Sequence, residues 1–134
     1  MTGADRPRLV VTAAVIEHGG RYLVTRRLRG THLEGHWEFP GGKCEPGETL
    51  AACLRRELIE ELGTDAAIGD ELLAVTHQYA ERIVELHFIA CRLDGAPSPV
   101  LGQEMRWVAR EDLPALQFPP ADAELIALLS QSRA

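Results

Sequence analysis

Apolar residues in this chain follow two different periods, and the switches between them outline the elements. Leu9 to Glu17 is rich in β-branched and apolar residues and predicts a strand. His18-Gly19-Gly20 is a turn signal, and Tyr22 to Thr25 returns as a second strand, which makes a hairpin. Gly30 to Pro46 carries Gly30, Gly35, Pro40, Gly41, Gly42 and Pro46 and reads as a loop. A loop of that length in a compact domain is usually functional. The period then becomes helical. Leu50, Leu54, Leu58 and Leu62 recur every four residues and mark the core face of a helix opened by Glu48 and Thr49, with Gly63 as its stop. Ile68 to Gln78 and Arg82 to Arg92 read as two strands around a turn near Ala80-Glu81. Gly95 to Pro99 is a loop, Met105 to Ala109 a short strand, and Glu111 to Pro114 a turn. Pro120 to Leu129 is a terminal helix with Leu125, Leu128 and Leu129 inward. No internal repeat or second domain is visible, so residues 1–134 read as one domain. Strands interleaved with two helices predict an α+β fold, a mixed β-sheet sandwiched between helices in an α/β/α sandwich.

Composition narrows the functions available. At 134 residues the chain can bury one sizeable core, and 46% hydrophobic with 25% charged residues is ordinary for a globular protein. A net charge of −6 argues against a nucleic-acid polymer as partner, because backbone binding needs a basic surface. A small polyanion stays open if metal ions screen it. Cys44, Cys53 and Cys91 are too few and wrongly spaced for a disulfide framework or a paired-cysteine zinc motif, which fits a reducing cytoplasm. The longest apolar run, near Leu9 to Ile16, is too short to span a bilayer, and the N-terminus lacks the apolar core of a signal peptide. No membrane partner is expected. No exposed apolar stripe demands a dimer, so monomer and homodimer both stay open.

The chemistry concentrates in one stretch. Glu57, Glu60 and Glu61 fall at i, i+3 and i+4, which stacks three carboxylates on one side of the helix, beside the leucine stripe. A solvated acidic face is the usual fate of such a cluster. Here it sits toward the helix C-terminus, where the macrodipole disfavours negative charge, and only Arg55 and Arg56 are locally available to offset it. It also follows Pro40-Gly41-Gly42, where missing side chains let backbone groups approach a ligand. A hard divalent cation such as Mg²⁺ among these oxygens would explain the arrangement.

The segment from Gly42 to Gly63 resembles the Nudix box, G-x5-E-x7-R-E-U-x-E-E-x-G-U, where U is a bulky aliphatic residue. Gly42, Glu48, Arg56, Glu57, Glu60, Glu61 and Gly63 supply every fixed identity, and Leu58 fits the first U. Thr64 departs from the last U, which is normally core packing. The resemblance implies hydrolysis of a nucleoside diphosphate linked to another group, with Mg²⁺ or Mn²⁺ as cofactor. It implies that Glu57, Glu60 and Glu61 bind metal, helped by the Gly41 carbonyl, and that Glu57 or Glu60 orients or deprotonates the attacking water. Glu48 would be a further ligand or a supporting acid, and Arg56 would fix a glutamate in place.

The flanks resemble the MutT-type branch of the family. Thr25-Arg26-Arg27, Trp37-Glu38-Phe39-Pro40-Gly41-Gly42-Lys43 and Phe118-Pro119-Pro120-Ala121-Asp122 carry that likeness. The branch cleaves nucleoside triphosphates to monophosphate and pyrophosphate, often oxidised purines such as 8-oxo-dGTP, and so implies nucleotide-pool sanitation. By resemblance Arg27 would contact phosphate and Arg82 the ligand, although a surface arginine and a hairpin-tip charge are the plain readings. Trp37 and Phe39 would line a base pocket or simply fill the core. Gly42 would let the ligand approach. Asp122 replaces an Asn that reads 8-oxoguanine in a bacterial relative. Ionised, it only accepts hydrogen bonds and suits the cytosine amine. Protonated by burial, it can serve oxidised guanine. As a helix N-terminal acid, it needs no ligand at all. A pyrophosphatase for CTP, dCTP or 5-methylcytidine triphosphate is therefore one alternative, and a non-catalytic nucleotide-sensing domain another. Many relatives carry an acid where this chain has Leu101, and Glu104 is the nearest substitute. His32 and His36 read as loop residues rather than zinc ligands. His77 and His87 lie in strands, where they face the nucleotide or pack, and Cys44 and Cys53 read as small packing residues.

Overall fold

The computed structural model describes residues 6–131; residues 1–5 and 132–134, counted above in the same domain, lie outside the described residues. Strand β1 (Arg8–His18) is the spine of the sheet. It runs parallel to β6 (Ile83–Leu93), in register from Arg8 opposite Ile83 to Ile16 opposite Cys91. Its other edge is divided. Val11 to Ala13 pair antiparallel with β4 (Gly41–Lys43), while Glu17 and His18 turn tightly into β2 (Arg21–Arg26). Outside β6 lies antiparallel β5 (Ala66–Gln78), and β2 pairs with both β3 (Trp37–Glu38) and β7 (Met105–Ala109). One parallel pair among antiparallel ones makes the sheet mixed, as expected.

Alternation along β1 divides the core in two. Ala13 and Val15 point to one face, where they join Phe39, Phe88 and the buried side of helix α2 (Ala123–Ser130). Ala14 and Ile16 point to the other, where they meet Leu54, Leu58 and Leu62 of helix α1 (Leu50–Leu62). The two helices therefore cover opposite faces, the sandwich predicted from the sequence. The leucine stripe of α1 is fully buried from Leu54 onward, and Cys53 joins it. Thr49 caps the helix by accepting from the Ala52 amide at 3.1 Å. Gly63 ends it in the left-handed region, at φ 72°.

Several expectations need correction. The stretch read as a loop holds β3 and β4, which at two and three residues are too short to show an alternating pattern. The turn at Glu111 to Pro114 is part of a 3₁₀ helix, Arg110–Ala115. The terminal helix begins with a 3₁₀ turn, Pro120–Asp122, and then buries Leu125, Ile126 and Leu129. Leu128 is 49% exposed, not inward. It lies about 100° around the helix from the centre of that stripe. Thr64, the departure from the last aliphatic position of the box, is buried as that position normally is, and its hydroxyl donates to the Asp65 carbonyl and accepts from the Gly95 amide. Among the described residues no helix is long and apolar enough to cross a membrane.

Two alanine substitutions separate the stripes. Leu58→Ala opens a cavity under α1 and is expected to lower unfolding free energy by about 2–5 kcal/mol. Leu128→Ala should change it by less than about 0.5 kcal/mol. Denaturant midpoints at constant slope measure both, and equal losses would contradict this packing.

Candidate active site

Strand β4 lies between the spine of the sheet and the face of α1. Gly41 sits opposite Ala13, so near the β1 backbone that a Cβ there would collide with the Thr12 carbonyl. A Cβ on Gly42 would overlap the Glu57 carboxylate. The two glycines thus let α1 press its acids onto bare backbone.

Arg56 organises those acids. Its Nε donates to Glu48 Oε2 at 2.7 Å and its Nη2 to Glu48 Oε1 at 2.9 Å, a two-pronged grip. Nη1 donates to Glu57 at 2.9 Å and to Glu60 at 3.4 Å, while Nη2 also donates to the Lys43 carbonyl at 3.0 Å. One guanidinium therefore ties the turn before α1, the end of β4 and two helix carboxylates together. These hydrogen bonds, with Glu48 first, raise the pKa of Arg56. In return, Arg56 and the Glu45 amide hold the Glu48 carboxyl down at about 2.

Charge elsewhere in the cluster is unbalanced. Burial, then hydrogen bonding with Glu57 and repulsion from Glu38 and Glu57, pushes the Glu61 carboxyl up to about 9 against a hydrogen bond from the Gly41 backbone. Glu60 stands at the solvent edge, its side chain 56% exposed. Glu38, within the Trp37–Lys43 motif, also belongs to the site. It projects from β3 toward Glu61, and burial raises its pKa although Arg27 pairs with it at 2.9 Å. An acid two residues before a Pro-Gly-Gly turn was the available signal. Gln103 was missed altogether. It is buried, donates to the Glu61 carbonyl at 3.0 Å and accepts from the Leu101 amide, so it pins the 99–103 loop to the end of α1.

A cleft of about 910 Å³ runs from this cluster along the face of the sheet that carries α2. Arg56, Glu57, Gly41 and Gly42 lie along it together with Arg27, Glu38, Phe39, Arg82 and Asp122. Arg27 is engaged by Glu38 and by the His32 carbonyl. Arg82 lies over the Tyr79 ring at 5.8 Å. Phe39 stacks on Phe118 with centroids 5.3 Å apart and meets Phe88 edge-on, so it fills the core and lines the cleft at once. Asp122 is buried, and burial followed by repulsion from Glu38 pushes its carboxyl up to about 7. It makes no capping hydrogen bond to α2.

Other residues named from the sequence lie elsewhere. Trp37 is core, with Arg26 and Arg106 against its ring. Glu104 points to those same arginines rather than to Glu61. Leu101, with Glu38, Gly41 and Glu61, lines a smaller cavity of about 200 Å³. His87 is held between Glu71 and Glu85, and His77 packs beside Tyr79.

A family model for the NUDIX domain matches residues 11–128. The chain belongs to the NUDIX domain family. It is 37% identical over 124 residues to the 8-oxo-dGTP diphosphatase of Haemophilus influenzae, covering 91% of each chain. It is 36% identical over 127 residues to the CTP pyrophosphohydrolase of Escherichia coli K12, covering 92% of this chain and 93% of that one. The solution structure of the E. coli ORF135 protein superposes with a TM-score of 0.83 at 32% identity, over 92% of this chain and 89% of the other. The family and the α+β fold expected from the sequence are both borne out.

The grip of Arg56 on Glu48 has a consequence in this NUDIX domain. A carboxyl held near 2 in the folded chain, against about 4.5 unfolded, adds stability that is present above 4.5 and lost as pH falls toward 2. Glu48→Gln is expected to flatten the dependence of melting temperature on pH across that window. An acid limb as steep as that of the parent would contradict the role given to this pair.

Proposed function

We propose that this Nudix hydrolase is a Mg²⁺- or Mn²⁺-dependent nucleoside triphosphate pyrophosphohydrolase of MutT type, working in the cytoplasm to clear modified nucleotides such as 8-oxo-dGTP. The observation that carries the reading is continuity: one cleft of about 910 Å³ is lined by Arg56, Glu57, Gly41 and Gly42 and also by Phe39 and Asp122. Catalytic phosphate chemistry and base selection then have separate ends of one cavity.

The donor set suits a hard divalent cation. Burial first, then the hydrogen bond with Glu57 and repulsion from Glu38 and Glu57, drives the Glu61 carboxyl up to about 9, so ionising the whole cluster calls for positive charge beyond its own arginines. Glu57, Glu60, Glu61 and the Gly41 carbonyl would hold the ion, with Glu48 serving through Arg56. When bound, such an ion offsets phosphate charge and makes nearby water more acidic. The chain's own groups do the rest. Glu57 or Glu60 takes the proton from the attacking water. Arg56 keeps Glu57 aimed, and Arg27, on the cleft wall, meets the substrate phosphates when it leaves Glu38. Phe39 supplies an apolar surface for the base.

Asp122 selects the base. With its carboxyl near 7 it carries a proton at slightly acid pH and then offers both a donor and an acceptor, which matches an oxidised guanine edge. Ionised, it accepts only and favours the cytosine amine. That second form, with the 36% identity to a CTP pyrophosphohydrolase, supports a cytidine triphosphate as the alternative substrate.

Purified protein with Mg²⁺ is expected to release pyrophosphate from 8-oxo-dGTP faster than from dCTP below pH 7. The preference should fall as pH rises through about 7, where Asp122 ionises. Asp122→Asn should abolish that pH dependence and change the kcat/KM ratio by about tenfold or more. A ranking indifferent to both pH and Asn would remove Asp122 from base reading. No turnover across a nucleotide panel would favour a nucleotide-sensing domain over an enzyme.

A further inference from the structure

Cys44 and Cys53 are nine residues apart and belong to different elements, yet they meet. Cys44 follows β4, its amide bound to the Val10 carbonyl at 2.8 Å. Cys53 lies on the buried face of α1, its sulfur 3.4 Å from the Thr12 hydroxyl and 3.8 Å from the Gly42 carbonyl. The carboxylate of Glu48 completes the group: one ligand atom from each of Cys44, Glu48 and Cys53 falls within 4.8 Å of the other two. Cys91, the remaining cysteine, is on β6 opposite Ile16 and outside this group.

We propose that Cys44, Cys53 and Glu48 form a site for a single thiophilic divalent cation of the Zn²⁺ or Cd²⁺ type, distinct from the hard-cation cluster of Glu57, Glu60 and Glu61. Two sulfurs and one carboxylate oxygen are a donor set such ions favour over Mg²⁺. A tetrahedral ion with metal–sulfur bonds of about 2.3 Å sets its ligand atoms about 3.8 Å apart, so the three need to draw in by at most about 1 Å. Each is anchored from behind: Cys44 by the sheet, Cys53 by the packed helix, Glu48 by Arg56. Glu48 need not release Arg56 to take part: Oε1 already accepts from Arg56 and the Glu45 amide, but Oε2, which accepts from Arg56 Nε, has a second lone pair to offer. Cys44 is only half-buried and lines the end of the large cleft, which supplies an entry path and leaves the fourth position open to water. On binding, two metal–sulfur bonds replace two S–H bonds and two protons leave to solvent. An ion held there would tie the end of β4 to α1 beside Gly42 while Arg56 keeps its hold on Glu48.

Titration of the whole protein with Cd²⁺, in reducing buffer with Mg²⁺ in large excess to occupy the carboxylates, tests this. The expected result is an ultraviolet thiolate-to-metal charge-transfer band that saturates at one Cd²⁺ per chain. Cys44→Ser should halve the band and weaken binding at least about tenfold. Glu48→Gln should weaken binding while keeping the full band. Cys91→Ser should change neither. Because Cys53 is fully buried, the half-exposed Cys44 carries the decisive variant, with circular dichroism to show that it folds. A band unaffected by Cys44→Ser, or one lost with Cys91→Ser, would overturn the proposal.

Discussion

The site rests on the five hydrogen bonds of one guanidinium. Arg56 joins Glu48 in the turn before α1, Glu57 and Glu60 on the helix, and the Lys43 carbonyl at the end of β4. Its planar fork makes this possible, since five donors in fixed directions can serve several acceptors at once. A lysine would bring the same charge but not the same geometry. Without the arginine, the carboxylates on this flank of α1 would face one another near a helix C-terminus, the end where the macrodipole opposes them.

Backbone makes the complementary contribution. Gly41 and Gly42 leave no room for a Cβ, one against β1 and the other against Glu57. The helix can then bring its acids onto the strand, and the strand can remain in the sheet. Packing of Leu54, Leu58 and Leu62 against Ala14 and Ile16 fixes the height of the helix above that surface. Core and site are therefore one construction: the stripe that buries α1 also sets which residues of the adjoining arc face Gly42. What remains unbalanced is the inner pair, Glu61 and Glu38, which burial leaves competing for positive charge.

Much of this was readable in the residues, for physical reasons. The leucines of α1 report burial because the helical period repeats over a long element, and the glutamates beside them report a shared side for the same reason. Strands β3 and β4 were not readable. At two and three residues they carry no period, and they exist because β1 and β2 offer them partners. Glu38 carries one local signal, its place before the Pro-Gly-Gly turn, but its importance and that of Gln103 come from a tertiary neighbour, Glu61. Leu128 was placed inward because it is a leucine beside others. The helix phase, set by the 3₁₀ turn at Pro120, gives that place to Ile126. Cys44 and Cys53 looked like separate packing residues until β4 and α1 were brought together.

In the proposed function, the acidic cluster is an ion-binding device whose geometry Arg56 maintains. Titration with Mn²⁺, read by electron paramagnetic resonance, tests this on the parent and on Arg56→Lys, which keeps the charge and removes the fork. The prediction is a loss of Mn²⁺ affinity of about tenfold or more in the variant, at unchanged circular dichroism. Equal affinity in the two proteins would contradict the claim that this one side chain arranges the site.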